Sequence, residues 1–369
     1  MPGISSTIVD VKTELFRVPL DEVLEDAIHG KHTHFELITA TVTTEDGVSG
    51  TGYSYTGGFG GAAIFQMIKT DLAPFLLGQD ASRIKYLWNA MNWRVHYVGK
   101  GGLASFAVAA LDIALWDLFG KKAGMPLWKL AGGAANTTRA YGGGIDLHYS
   151  IDRLCQNIKG YLDAGLRGVK IKVGKSTLDE DVERVAAVRK FIGRDVAFMV
   201  DANMKWTVDE AIRASHKFKE YDLTWLEEPT IPDDIRGYAE IAARGALPIA
   251  QGENYHTVME FKNLFEYGHV DFPQPDASTV GGVTGWMKVA ELAFAYNLPV
   301  CSHGMQELQV SLMAGMPNAG WLEVHSFPID RYTTRPLVID KDGRAVAPDA
   351  PGVGVEFKWD MLAPHRVVL

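Results

Sequence analysis

AFMVDAN (197–203), LTWLEEP (223–229) and LPIAQGEN (247–254) decide how this chain of 369 residues folds. Each is a short apolar run closing on an acid, and the acids Asp201, Glu227 and Glu253 lie 26 residues apart. Between them stand the helical patterns TVDEAIRASHKFKEY (207–221) and RGYAEIAAR (236–244). A brief apolar run bounded by turn residues reads as a strand buried on both faces, and a strand-helix unit about every 30 residues reads as a parallel repeat. Several such units in succession close into a barrel whose C-terminal strand ends share one rim. Acids on three successive strand ends therefore converge. Three carboxylates do not stay ionised together without a cation, and an all-oxygen set suits a hard divalent ion, above all Mg²⁺ completed by water and substrate oxygens. A single strand-end acid more often caps the next helix. Recurrence in three consecutive units weighs against that here.

Working outward, GVKIKVG (168–174) sets Lys170 and Lys172 two apart on a strand, so both face one way. Ammonium groups that close in a barrel mouth are expected to lower the pKa of at least one by repulsion and burial, which makes a lysine a usable base. HVDFPQPDAS (269–278) and LPVCSHGMQE (298–307) bring Asp276 and His303 to the next strand ends, where the pair can hydrogen-bond and fix the imidazole tautomer. AGWLEVHS (319–326) adds Glu323, a hydrogen-bond donor if kept neutral.

Bulk properties narrow the partners. The length and the 47% hydrophobic content suit one large barrel with a smaller domain. A net charge of −9 argues against nucleic acid or an anionic membrane. Cys155 and Cys301 make neither a disulfide framework nor a metal-type spacing. MPGISSTIVDVKTELF (1–16) lacks a basic stretch followed by an apolar one, and no uninterrupted apolar run matches a bilayer, so a soluble cytoplasmic protein is expected.

The alternation is missing before residue 132. ELITATVTTEDGVSGTGYSYT (36–56) reads as an antiparallel hairpin turning at Asp46-Gly47. Helical patterns follow at 62–76, 82–93 and 103–124, the last apolar nearly all round and expected to be buried against the barrel. A second hairpin, LVIDKDGRAVAP (337–348), is expected to fold back onto this first domain. Gly58-Phe59-Gly60-Gly61-Ala62-Ala63 fits a dinucleotide fingerprint, yet it follows a hairpin strand and no ribose-binding acid comes after it, so a loop closing over a neighbouring site is the better expectation. His32-Thr33-His34 is like the HxH pair of barrel zinc hydrolases, but it lies outside the barrel; with His29 it is expected to form a bonded loop or a polar lid. Gly281-Gly282, at a helix start, suits an anion less well than an ordinary tight turn.

Taken in order, VKIKVG, MVDAN, WLEEPT, GEN, QPDAS, SHGMQE and WLEVH resemble the enolase superfamily, and within it the mandelate racemase subgroup, over nearly the whole chain. The resemblance implies an α/β fold: a modified (β/α)₇β TIM barrel at 133–327, an N-terminal α+β capping domain with lid loops at 1–132, and a C-terminal segment at 328–369 returning to the cap. It implies that Asp201, Glu227 (rather than Glu228) and Glu253 hold Mg²⁺. Lys172 would be the base on one face of the substrate, with Lys170 neutralising the substrate carboxylate. His303, paired with Asp276, would be acid or base on the opposite face; Glu323 would donate to the carboxylate, and Asn203 would accompany metal or substrate. A homo-oligomer is implied as well.

Such residues answer a chemical difficulty. Removing a proton from carbon beside a carboxylate makes a dianion, so a cation and a nearby donor must stabilise the oxygens before a lysine can compete for it. Reprotonation then gives racemisation, loss of a β-hydroxyl gives dehydration, and loss of a β-ring oxygen opens a ring. His29, His32, His34, Tyr53, Tyr55, His96 and Tyr97 suit a hydroxyl-rich ligand, with His29, His32 and Tyr55 expected to touch it. A small acid sugar is therefore the expected substrate and β-elimination the expected reaction, by a dehydratase or cycloisomerase, ahead of a racemase or epimerase of a 2-hydroxy acid. A zinc-dependent barrel hydrolase and a non-catalytic binding protein are the alternatives from other classes.

Overall fold

The computed structural model describes residues 6–369. Strands β1 (Ile8–Glu25), β2 (Lys31–Thr44) and β3 (Ser49–Thr56) form an antiparallel sheet. Its tight turn falls at Asp46-Gly47, where Gly47 takes φ of 81° and donates to the Thr44 carbonyl at 2.8 Å. Glycine adopts that backbone without steric cost.

Helix Leu103–Ala123 packs on β2 and β3 and also on helix Gly282–Ala295 of the barrel. By length and composition it could cross a membrane, but most of its side chains are buried within the fold. Leu111, Ile113, Leu115 and Leu118 each contribute about 1.5–3 kcal/mol of transfer free energy from that burial. Gly50 and Gly52 let the helix lie directly on β3, since a Cβ at Gly52 would stand 2.2 Å from the Ala110 carbonyl oxygen. On the barrel side, the Thr284 amide and hydroxyl donate to the Asp112 carboxylate at 2.8 and 2.7 Å, and Trp116 Nε1 donates to the same hydroxyl at 2.9 Å. The glycine turn at 281–282 thus serves an acid from the cap, which fastens the two parts together.

Parallel strands β4 (Thr137–Gly143), β5 (Gly168–Lys172), β6 (Ala197–Asp201), β7 (Trp225–Glu227), β8 (Ile249–Gln251) and β9 (Phe272–Pro273) follow in spatial order. β10 (Trp321–Val324) pairs in parallel with β4 and closes the ring. Residues 300–302 fill the last place: the Cys301 amide donates to the Pro273 carbonyl, and the Ser302 amide to that of Trp321. The architecture is a capping sheet over an α/β barrel.

Alternation along these strands sets the site. Tyr141, Met199, Trp225, Ala250 and Cys301 plug the barrel interior. Val169, Ile171, Phe198, Val200, Leu226 and Ile249 point outward to meet helix residues such as Val185, Val188, Phe218 and Tyr238. A residue two beyond an inward one is inward too, which carries Asp201 after Met199, and Glu227 after Trp225, into the mouth. Glu253 arrives differently. It follows Gly252, where a Cβ would stand 2.6 Å from the Gln274 backbone, so only glycine lets the chain turn there. The helices after β6, β7 and β8 are capped by the side chains of Thr207, Asp234 and Thr257. None of the three strand-end acids serves as a cap.

The tail departs from expectation. β11 (Val338–Ile339) and β12 (Arg344–Val346) do form a hairpin, but β12 pairs antiparallel with β4 instead of joining the cap. β5 pairs only with Gly142 and Gly143, so the first residues of β4 offer a free edge that the hairpin takes. The rest of the tail does return to the cap: β13 (Arg366–Val367) pairs with β1, the Val353 amide donates to Asp117 at 3.0 Å, and the rings of Phe357 and Trp359 meet those of Tyr53 and Phe16.

Candidate active site

One oxygen from each of Asp201, Glu227 and Glu253 lies within 4.8 Å of the others. Two tryptophan and glutamine donors fix Glu227: Trp225 Nε1 and Gln274 Nε2 both donate to its Oε2 at 2.8 Å, which leaves Oε1 for the mouth. The Asn203 amide donates to Asp201 Oδ1 at 2.8 Å. Asn203 Oδ1 and Glu228 Oε2, both buried, have no hydrogen-bond partner among the described residues. Asn203, Met204 and Glu228 hold left-handed backbone at φ of 41°, 63° and 41° immediately beyond their strands. Such conformations cost energy in residues other than glycine and collect at functional sites.

The two lysines face these acids. Lys172 Nζ reaches Asp201 Oδ2 at 2.5 Å; Lys170 Nζ lies 2.9 Å from Glu323 Oε1 and also pairs with Glu227. The expected fall in lysine pKa does not occur in this arrangement. Burial is the largest influence and pushes both downward, but for Lys172 the charges of Asp201, Glu253 and Asp26 together exceed burial and the repulsion of Lys170, and for Lys170 those of Glu227, Glu323, Tyr141 and Asp201 together do the same. Both ammonium groups are held above the ordinary lysine range. Glu323 also departs from the neutral form expected of it: burial raises its carboxyl, yet the charge of Lys170, and with it that of His303, holds it well below the usual range and ionised.

Opposite Lys172 stands His303. Its Nδ1 lies 2.9 Å from Asp276 Oδ2 and its Nε2 lies 3.1 Å from Glu253 Oε2. Burial lowers its pKa, but Glu253, the Asp276 hydrogen bond and Glu323 together raise it to about 10. Asp276 is itself held by the amide and hydroxyl of Ser278, each donating at 2.6 Å, and by Tyr55, whose hydroxyl donates at 2.8 Å. Lys172 therefore meets the acidic triad at Asp201, on β6, and His303 meets it at Glu253, beyond β8. Around the ring, β4 and β10 separate the two on one side, and β6 to β9 separate them on the other.

Among the lid residues expected to touch a ligand, His29, His32 and Tyr55 line a cavity of about 180 Å³ together with Lys172, Asn203, Glu253 and His303. A second cavity of about 220 Å³, lined by Phe59, Leu103 and Phe106, adjoins it across Tyr55, Glu253 and His303. Tyr53 is not in either: its hydroxyl is buried against Glu307. His34 holds the Gly58 carbonyl at 3.3 Å, and His96 holds that of Trp93 at 2.6 Å, while Tyr97 is exposed. The HxH pair is split, because His32 Nε2 turns to Asp26 at 2.9 Å. The dinucleotide reading fails on the same local grounds, since the Gly61 amide donates to the Glu36 carboxylate at 2.8 Å.

Two titratable residues of the cavity wall went unnoticed in the sequence. Asp26 accepts from the His29 amide at 2.8 Å and bonds both His29 and His32 rings at 3.1 and 2.9 Å. Burial raises its carboxyl, but these hydrogen bonds and the charge of Lys172 hold it well below the usual range. His325, two residues beyond Glu323, is the other.

A β-sheet cap, a closed barrel and a carboxylate cluster between a lysine and an imidazole together define a class. Residues 8–132 match the model for the mandelate racemase / muconate lactonizing enzyme N-terminal domain, and residues 153–361 match the enolase C-terminal domain-like model. The chain belongs to the enolase superfamily, in its mandelate racemase and muconate lactonizing enzyme branch. It is 46% identical over 352 residues to the 3,6-anhydro-alpha-L-galactonate cycloisomerase of Streptomyces coelicolor, covering 95% of this chain and 97% of that protein. Among solved structures it is similar to a racemase from Streptomyces coelicolor with bound magnesium, at TM-score 0.95 and 45% identity over 98% of this chain and 100% of that one. It is also similar to L-talarate dehydratase from Polaromonas complexed with Mg and L-glucarate, at TM-score 0.92 and 34% identity over 98% of each chain.

Proposed function

We propose that this enzyme removes the proton beside the carboxylate of an acid sugar and then expels the β-oxygen, as a cycloisomerase acting on 3,6-anhydro-L-galactonate or a close relative of it. The observation that carries this is the arrangement of Lys172 and His303 at opposite ends of the Asp201, Glu227 and Glu253 cluster. The three carboxylates, with Asn203 Oδ1 unpartnered beside them, form an all-oxygen donor set that fits Mg²⁺. Bound there, the ion would stabilise the negative charge that builds on the substrate carboxylate.

This chain's residues supply the rest. Lys170 and Glu323, paired at 2.9 Å, sit where a substrate carboxylate would be neutralised and oriented. Lys172 is the base for the α-proton, and the carboxylate charge that keeps it protonated is the charge that a cation held by Asp201, Glu227 and Glu253 would offset. His303, oriented by Asp276 and charged near neutral pH, delivers its Nε2 proton to the departing oxygen. His29 and His32, fixed by Asp26, and Tyr55 present polar groups to the sugar hydroxyls. Two relatives support the substrate class: the cycloisomerase at 46% identity and the dehydratase bound to L-glucarate. Dehydration of an open-chain acid sugar is the second reading, because the same proton transfers serve a hydroxyl leaving group. We further propose a cytoplasmic protein and a homo-oligomer, the latter to be tested by sedimentation analysis.

The test is incubation in D₂O with Mg²⁺ and a panel of acid sugars, including 3,6-anhydro-L-galactonate, followed by NMR. Wild type should consume at least one member, losing the α-proton and taking deuterium at the β-carbon as the enol left by elimination ketonises, and Lys172→Ala should do neither. Turnover by Lys172→Ala at the wild-type rate would reject the base.

A further inference from the structure

His325 lies on the chain just past β10, its ring edge-on to His303 at 5.2 Å between centroids and edge-on to Phe327 at 4.8 Å. The Phe327 backbone amide points at His325 Nδ1, 3.1 Å away. An amide can only donate, so Nδ1 must accept, and the ring proton belongs on Nε2. Glu323, two residues back, and His303, Lys172 and Lys170 are the charged groups that act on the ring. Burial is the largest influence and disfavours an imidazolium there; Glu323 opposes it, the charges of His303, Lys172 and Lys170 add to it, and the pKa falls to about 3. The ring lines the same cavity as Lys172, Asn203 and His303.

We propose that His325 is a substrate-contacting residue: a neutral imidazole, locked by the Phe327 amide in the Nε2–H form, that donates a hydrogen bond to the β-oxygen as it leaves. This rests on the elimination reading above and adds to it a donor that decides in favour of β-oxygen loss. In that step the α-proton passes to Lys172, and the Cα–H electron pair becomes the Cα–Cβ double bond. The Cβ–O bond breaks with its pair going to oxygen, and His303 protonates that oxygen. His325 transfers no proton; it holds the oxygen while charge grows on it, beside the imidazolium that will neutralise it. A racemisation site has no departing oxygen and would have no use for such a donor.

Two variants separate this from a packing role. His325→Leu should slow product formation on the order of 100-fold, while α-deuterium exchange catalysed through Lys172 stays within a few fold of wild type. His325→Gln, which restores an N–H donor near the same place, should recover much of the loss. ¹⁵N NMR of histidine-labelled wild type, with the His325 resonances identified by their absence in His325→Gln, should show a protonated Nε2 and a bare Nδ1. A protonated Nδ1, unchanged product formation in His325→Leu, or an equal loss of exchange and elimination would each overturn the proposal. If wild type neither exchanges the α-proton nor forms product with any acid sugar, the reaction has been misread, and this assignment falls with it.

Discussion

Replacing Asp112 by asparagine should make the protein more stable above neutral pH. Asp112 is buried at the joint between cap and barrel, and burial raises its pKa from 3.8 to about 7 despite the hydrogen bonds from Thr284 and Val283. A folded pKa above the unfolded one means that the native state binds the extra proton. The stability gained is whole below the unfolded value near pH 4 and is lost as pH rises through the folded value near 7. The full difference corresponds to about 4 kcal/mol at about 1.4 kcal/mol per pKa unit. Asp112 also faces the N-terminus of helix Gly282–Ala295, which favours its charged form by about 1 kcal/mol. Between pH 5 and pH 8, wild type should therefore lose about 2 kcal/mol relative to Asp112→Asn, a variant whose amide oxygen still accepts from the Thr284 amide. Denaturant unfolding of both proteins at the two pH values measures the gap. Equal pH profiles, or a variant less stable at both, would refute the burial and protonation assigned here.

His303→Asn should lower product formation on the order of 10³-fold, the scale of a lost general acid, yet leave α-proton exchange in D₂O in place; parallel loss of both would mean that His303 acts before the proton leaves. Glu227→Gln should abolish tight Mg²⁺ binding in calorimetric titration, whereas Glu228→Gln, whose Oε1 accepts from Asn254 at 2.7 Å, should retain it. Gly52→Ala should destabilise by about 3 kcal/mol or more in denaturant unfolding, because its Cβ would meet the backbone of helix Leu103–Ala123 at 2.2 Å. A smaller loss would show that this helix can move off the sheet.

The barrel was legible because its strands are short, apolar and punctuated by acids, and alternation alone sends Asp201 and Glu227 inward. β1 was not: over 18 residues its exposed positions follow no clean alternation, and its pairing with β2 breaks between Pro19 and Leu24. The tail hairpin could be seen but not placed, since the edge it joins exists only after β5 has paired with part of β4. Charge states were the least legible feature. The lysine pair alone predicts a depressed pKa, but Asp201, Glu227 and Glu323 reach those lysines from other strands and reverse the sign. Asp26 and His325 escaped notice for a related reason. Nothing in their neighbours along the chain marks them, and only the folded cap and the strand end beside His303 bring them into the cavity.

Crystals soaked in Mn²⁺ and measured for its anomalous signal would test the centre of this account most directly. A single strong peak bounded by oxygens of Asp201, Glu227 and Glu253, and absent in Glu227→Gln, is the predicted result. A peak instead among Asp26, His29 and His32, or no ordered ion at saturating Mn²⁺, would contradict it.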